Sequence, residues 1–175
     1  MSISEYAALV VEFVRMHEAF AAPIVFALAF GESLAFLSLL LPATVILLGI
    51  GGLLGASGIP LVPVFVAGAV GSILGYGISY YVGLYFKDSI HKIWPFTTHP
   101  DMIPRSKVLF DKWGALGVFM GHFFGPVRAV IPVVAGMYQL NLMKFWMANI
   151  TSSCLWAFGI LAPGALGLKW FGFIG

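Results

Sequence analysis

Residues 3–20 set apolar and polar side chains on opposite sides of a helix. At about 100° per residue, Ile3, Tyr6, Leu9, Val10, Phe13, Val14, Met16, His17 and Phe20 share one face. Ser4, Glu5, Ala8, Glu12, Arg15, Glu18 and Ala19 share the other. That amphipathic pattern predicts an interfacial helix over 3–22, lying in the plane of a membrane, with His17 at the rim of its apolar face. Pro23 then opens a new element. Residues 24–58 are apolar but interrupted by Gly31-Glu32, by Pro42 and by a series of glycines. A carboxylate one turn into hydrocarbon and a proline in mid-run fit a straight span poorly, so the pattern predicts a re-entrant hairpin that turns near Pro42. Backbone freed at such a turn needs protein or a wet cavity around it. Residues 60–86 are long and apolar enough to span, with Gly71, Gly75, Ser79 and Gly83 in a four-residue stripe that reads as a face for close helix packing. Tyr80, Tyr81 and Tyr85 suit an aromatic belt at its end.

A polar segment, 87–113, separates this half from a second one. His99 and Asp101 sit there on a proline-rich turn, a weak metal signal that reads as solvated loop. Residues 114–140 are again apolar and broken, now by Gly125-Pro126, Arg128, Pro132 and Gly136, and predict a second re-entrant hairpin. Residues 142–168 predict the second span, with Asn149, Ser153 and Ala157 as its small-residue stripe. Each half thus runs amphipathic helix, broken hairpin, striped span. Since each half crosses once, the two are inverted, and paired Gly/Pro-interrupted segments of this kind point to a midplane site in secondary transporters. The expected fold is an all-α integral membrane protein with an inverted repeat, one domain over 1–175.

Composition narrows the class in the same direction. Of the 175 residues, 61% are hydrophobic and 9% charged, and the mean hydropathy is +1.00. Soluble domains carry about 25% charged residues, so an ordinary cytosolic domain, a disordered chain and a nucleic-acid binder are all excluded. No positive stretch precedes an apolar core at the N-terminus, so the first helix is expected to be retained rather than cleaved as a signal peptide. Lys87, Lys92, Arg105, Lys107, Lys112 and Lys144 fall on one side of the two spans, Arg15 and Lys169 on the other. The positive-inside rule then places 87–112 in the cytoplasm of a multi-pass inner-membrane protein. A single cysteine, Cys154, permits no internal disulfide.

Glu32 and Arg128 are the two charges inside the broken apolar segments. Either alone at the bilayer centre costs roughly 3 kcal/mol on insertion scales. They pair across the hairpins and pin the fold, or Arg128 holds an anion while Glu32 binds a proton or cation. A salt bridge that opens when a phosphate arrives reconciles the two readings. The arginine fork suits a phosphate bidentately, and backbone N–H groups near Gly125 would add to it. His122 is either a second donor to that anion or a hydrogen-bonded packing residue. Pro42, Thr44, Pro126 and Pro132 are the expected hairpin-turn residues. No nucleophile motif or phosphate-cradling run occurs, and only one histidine and one arginine reach membrane depth, which argues against an enzyme such as a lipid phosphatase.

The run from Phe110 to Arg128, FDKWGALGVFMGHFFGPVR, followed by Pro132, Ala135-Gly136, Met143, Phe145, Asn149 and Trp156, strongly resembles the DedA family (VTT or SNARE-associated domain). Glu32, Pro42, Gly52, Gly71, Gly75, Tyr80 and Gly83 resemble its first half, so the likeness covers roughly residues 25–160. The resemblance implies two facing re-entrant hairpins and the transport or scrambling of lipids, in bacteria the recycling of undecaprenyl phosphate. Glu32 and Arg128 match charged positions that family members need. The chain departs from the family pattern at Thr44, Tyr76 and His122, where acidic residues and an arginine are usual. The expected function is therefore movement of a phosphate-bearing lipid, undecaprenyl phosphate first, between leaflets. Phospholipid scrambling and a non-transporting structural or regulatory subunit are the alternatives. No cofactor, metal or nucleic acid is expected. Proton or sodium coupling and self-association are left open.

Overall fold

Helix α1 (Ile3–Met16) stops where His17 leaves helical geometry (φ −135°, ψ 69°). There the His17 backbone N–H and ring Nδ1 both reach the Phe13 carbonyl, at 3.0 and 3.2 Å. A 3₁₀ turn, Glu18–Phe20, follows, and α2 (Ala21–Ser33) leaves at 117° to α1. The amphipathic helix is thus shorter than the expected 3–22, because the His17 break hands Ala21 and Ala22 to α2. Pro23 stands in the first turn of α2, where a missing N–H loses no helical bond. The account rests on a computed structural model that describes residues 3–35, 37, 43–57, 59–87, 89, 97–124 and 128–170, in which the regular elements are all helical.

Beyond α2 come α3 (Ala43–Ser57), α4 (Leu61–Tyr85), α5 (Met102–Trp113), α6 (Ala115–Gly121), α7 (Ile131–Met137) and α8 (Leu142–Trp170). Leu61–Tyr85 and Leu142–Ala165 are long and apolar enough to cross a membrane, matching the two expected spans; a third is available if the bent α1–α2 pair counts as one. At 1.5 Å rise per residue, α2 and α3 reach only about 20 Å and α6 and α7 about 10 Å, against about 30 Å of hydrocarbon. Where one hairpin was expected over 24–58, two short helices are therefore joined by a break. Pro42 lies outside the described residues, as do Gly125 and Pro126. Thr44 is the second residue of α3, and Pro132 the second of α7, so both stand just inside a helix start. Thr97 to Asp101 form exposed turns, and α5 packs Ile103 inward while Arg105 and Lys107 face outward. Gly114 separates α5 from α6 at φ 54°, a backbone that favours glycine. Gln139 closes α7 at φ 53°, with Leu140 N–H donating back to the Ala135 carbonyl.

The packing repeats between halves. α2 lies on α4, and α6 on α8; α3 crosses to pack on α8, and α7 crosses to pack on α4. α1 leans on α3, and α5 on α7. The second short helix of each pair therefore rests on the long helix of the other half. Small residues permit this closeness. A Cβ at Gly71 would lie 2.5 Å from the Phe26 carbonyl, and one at Gly83 would overlap the Val133 carbonyl of α7. One at Gly136 would overlap the Tyr80 carbonyl in return. The four-residue stripe of α4 is thus a packing surface toward α2 and α7. Asn149 of the α8 stripe donates from Nδ2 to the Ile73 carbonyl of α4 at 3.0 Å. One apolar core gathers Val25, Leu47, Ile50, Val64 and Leu161, and another Tyr80, Val118, Ile131 and Phe145. A polar layer lies between them.

Candidate functional site

Glu32 is the penultimate residue of α2, and the end of that helix is clamped. Leu34 turns extended (ψ 133°). Ser79 of α4 accepts from the Ala35 N–H at 2.8 Å, while its own proton is shared between the Gly75 carbonyl at 2.8 Å and the Ser33 carbonyl at 3.2 Å. Gly75 allows the approach, since a Cβ there would stand 2.6 Å from the Phe30 carbonyl. Held this way, the Glu32 carboxylate points inward and is buried.

Arg128 reaches it from the other half. Its N–H donates to the Phe124 carbonyl at 3.0 Å, in the turn that leads to α7. Nη1 donates to Glu32 Oε1 at 3.1 Å, and Nη2 to Ser33 Oγ at 3.2 Å. The two side chains are each 6% exposed, in contrast to the solvent-facing pairs Arg105–Asp101 and Lys107–Asp111. The guanidinium carbon lies 4.3 Å from the centre of the Trp156 ring, a cation–π contact. Thr44 of α3 donates to the same Oε1. Among the described residues, Glu32 Oε2, Arg128 Nε and the Tyr76 hydroxyl are buried without a hydrogen-bond partner in good geometry, and the Tyr76 hydroxyl and the Arg128 guanidinium are close enough to interact. Buried polar atoms without partners cost about 1–3 kcal/mol each, so they concentrate where a structure has another use for them.

His122 is fully buried behind this pair. Its ring stacks on Tyr76, centroids 4.4 Å apart, and sits 5.7 Å from Trp156. Nε2 lies 3.3 Å from Ser72 Oγ, and Nδ1 3.3 Å from Ser152 Oγ. Ser72 Oγ is 2.9 Å from Ser33 Oγ, which closes a continuous chain back to Arg128. Ser72 stands near the middle of α4 and Ser152 about a third of the way along α8, each about 15 Å from the helix start at 1.5 Å per residue.

The fold thus brings together Glu32, Thr44, His122 and Arg128, four of the residues expected from the sequence. Pro132 is buried one turn beyond Arg128. Ser33, Ser72, Tyr76, Ser152 and Trp156 belong to the same layer, although nothing in the sequence marked them as site residues. Their signal was polarity within otherwise apolar runs, where a hydroxyl must find a partner inside the protein. Chemically the layer holds, among the described residues, one permanent cation and one carboxylate, both buried. Such a pair can exchange its inner partner for an anion at the guanidinium and for a proton or cation at the carboxylate.

A VTT domain model matches residues 41–166. The chain is 35% identical over 136 residues to an uncharacterized membrane protein of Buchnera aphidicola from Acyrthosiphon pisum, a match covering 78% of this chain and 53% of that protein. It is 33% identical over 166 residues to the inner membrane protein YabI of Escherichia coli, covering 91% and 63%. A more distant relative, 26% identical over 149 residues and covering 77% and 73%, is undecaprenyl phosphate transporter A of Staphylococcus aureus. The chain spans about half to two thirds of the length of the first two. No solved structure matches it.

Proposed function

The chain belongs to the VTT-domain family, the DedA family of membrane proteins, and on that footing we propose that it carries a phosphate-bearing lipid between the leaflets of the cell's inner membrane. Undecaprenyl phosphate is the favoured cargo, the lipid named for the Staphylococcus aureus relative. The observation that carries the reading is the buried Glu32–Arg128 pair, with three buried polar atoms that have no partner in good geometry among the described residues. Arg128 receives the phosphate; Gly125, expected from the sequence to add backbone donors, lies outside the described residues. Glu32, released, takes up a proton or a cation. His122 acts from behind, through its two serine partners.

In this reading α2–α3 and α6–α7 are re-entrant hairpins related by inversion, which the matched packing of the two halves supports. The polar layer then falls near the bilayer midplane, and residues 97–104 face the cytoplasm. The competing reading is a pair that only fastens the fold, favoured by how deeply both side chains are buried. Reconstitution into liposomes separates the two. The protein should render labelled undecaprenyl phosphate in the inner leaflet accessible to an outside reagent, faster than protein-free vesicles. Vesicles with a diester phospholipid as the labelled lipid test scrambling. If neither lipid changes leaflet faster than in empty vesicles, the transport reading fails.

A further inference from the structure

The hydroxyl chain from Arg128 to Asn149 has its direction fixed at both ends. An arginine can only donate, so Ser33 Oγ accepts from Arg128 Nη2. At the far end Ser152 donates to the Asn149 backbone carbonyl at 3.2 Å, an obligate acceptor. Ser152 has spent its one proton there, so its contact with His122 must be received, from Nδ1–H. A neutral imidazole with its proton on Nδ1 presents a lone pair at Nε2, which accepts from the Ser72 hydroxyl. Ser72 in turn accepts from Ser33. Every hydroxyl from Ser33 to Ser152 then points away from Arg128 and turns a lone pair toward it. One ring tautomer satisfies the whole chain.

We propose that His122 is a positioning residue for Arg128, acting through Ser72 and Ser33, so that the protonation state of its ring sets how firmly the guanidinium is held. The proposal rests on the lipid-phosphate reading only for its use, not for its geometry. A proton taken from water onto Nε2 makes both ring nitrogens donors. Ser72 then accepts from the ring, and its own proton, displaced from Nε2, turns toward Ser33 Oγ at 2.9 Å, so that Ser33 loses the partner for its hydroxyl. The acceptor that Nη2 relies on is thereby disturbed, and Arg128 is loosened from α2. The groups facing the ring are Tyr76 on α4, Trp156 on α8, Arg128 beside α7 and, behind it, Glu32 on α2. The incoming proton meets Arg128 as a like charge, and an anion seated at Arg128 would offset it. Proton uptake at His122 and anion binding at Arg128 are therefore coupled, each favouring the other.

The test is nitrogen-15 NMR of the full chain in lipid nanodiscs, with histidine and arginine labelled and no cargo lipid added. His122 is assigned by the signal lost in His122→Asn. The expected neutral ring carries its proton on Nδ1, and on acidification the Arg128 side-chain signals shift with the same midpoint as the His122 ring. In Ser72→Ala the ring should still titrate while the shift of the Arg128 signals shrinks to the direct effect of the ring charge. In Ser152→Ala the preference for the Nδ1–H form should be lost, with folding checked by thermal unfolding. A neutral ring protonated on Nε2, a ring that never titrates while the protein stays folded, or Arg128 signals indifferent to the ring would each overturn the proposal. A failed liposome assay would leave these signals untouched, so the two readings fail separately.

Discussion

Glu32 and Arg128, ninety-six residues apart in the chain, meet in a 3.1 Å ion pair buried between the two halves of the protein. Taking two charges out of water is costly, and the pair recovers that only in part, since Oε2 and Nε have no partner among the described residues. Removing one member should be worse than removing both. Glu32→Ala leaves a buried guanidinium uncompensated and should lower stability by about 3–5 kcal/mol. The double variant Glu32→Leu with Arg128→Met should recover much of that loss. Thermal unfolding in one detergent measures both, and a double variant less stable than Glu32→Ala contradicts the picture.

Tyr76 offers a cleaner handle. Its hydroxyl is buried with no partner in good geometry among the described residues, near the Arg128 guanidinium, while its ring stacks on His122. Tyr76→Phe keeps the ring and removes the orphaned group, so stability should rise, by up to about 1–3 kcal/mol. If the hydroxyl helps to receive the cargo phosphate, transport should fall in the same variant. Stability that drops instead would mean the hydroxyl is satisfied in the folded protein.

The crossing of α4 and α7 depends on paired glycines. Gly83→Val should prevent correct packing, because its Cβ has the Val133 carbonyl in its place. Gly159→Ala faces open space on α8 and should be neutral or stabilising by about 0.5–1 kcal/mol. Monodispersity on size-exclusion chromatography and the unfolding midpoint report the contrast. Equal behaviour of the two variants would remove the close-packing argument.

Orientation is tested at Thr98, an exposed turn residue between the two halves. In a Cys154→Ala background, Thr98→Cys should resist an impermeant thiol reagent added to intact cells and react after permeabilisation. Labelling from outside reverses the topology.

Much of this architecture was legible because periodicity and interruption are local properties. The two spans came from apolar length, and the stripe at Gly71, Gly75, Ser79 and Gly83 announced a packed face. The importance of Glu32 and Arg128 followed from the cost of a charge in an apolar run. The end of α1 was not legible, since His17 reads as a continuation of the apolar face until its bonds to the Phe13 carbonyl are seen. Nor was the serine chain. Ser33, Ser72 and Ser152 come from three helices, and a hydroxyl in an apolar helix can also satisfy itself on its own backbone. Only the tertiary packing decides that Ser72 and Ser152 meet His122 and that Ser33 meets Ser72. The same holds for Trp156, whose place under the Arg128 guanidinium depends on α8 packing against α4 and α6.

Under the proposed function, Arg128 holds the lipid phosphate by a planar, two-pronged contact. Arg128→Lys keeps the charge and loses the fork. One charge-assisted hydrogen bond is worth about 1.5–3 kcal/mol, so the affinity for undecaprenyl phosphate should fall about ten- to a hundredfold. Measured together, affinity should drop by that factor while the protein still inserts and folds, and Arg128→Ala should bind more weakly still. Parental affinity and lipid movement in Arg128→Lys, or loss of stability alone in Arg128→Ala, would make Arg128 a structural partner of Glu32 and contradict the account.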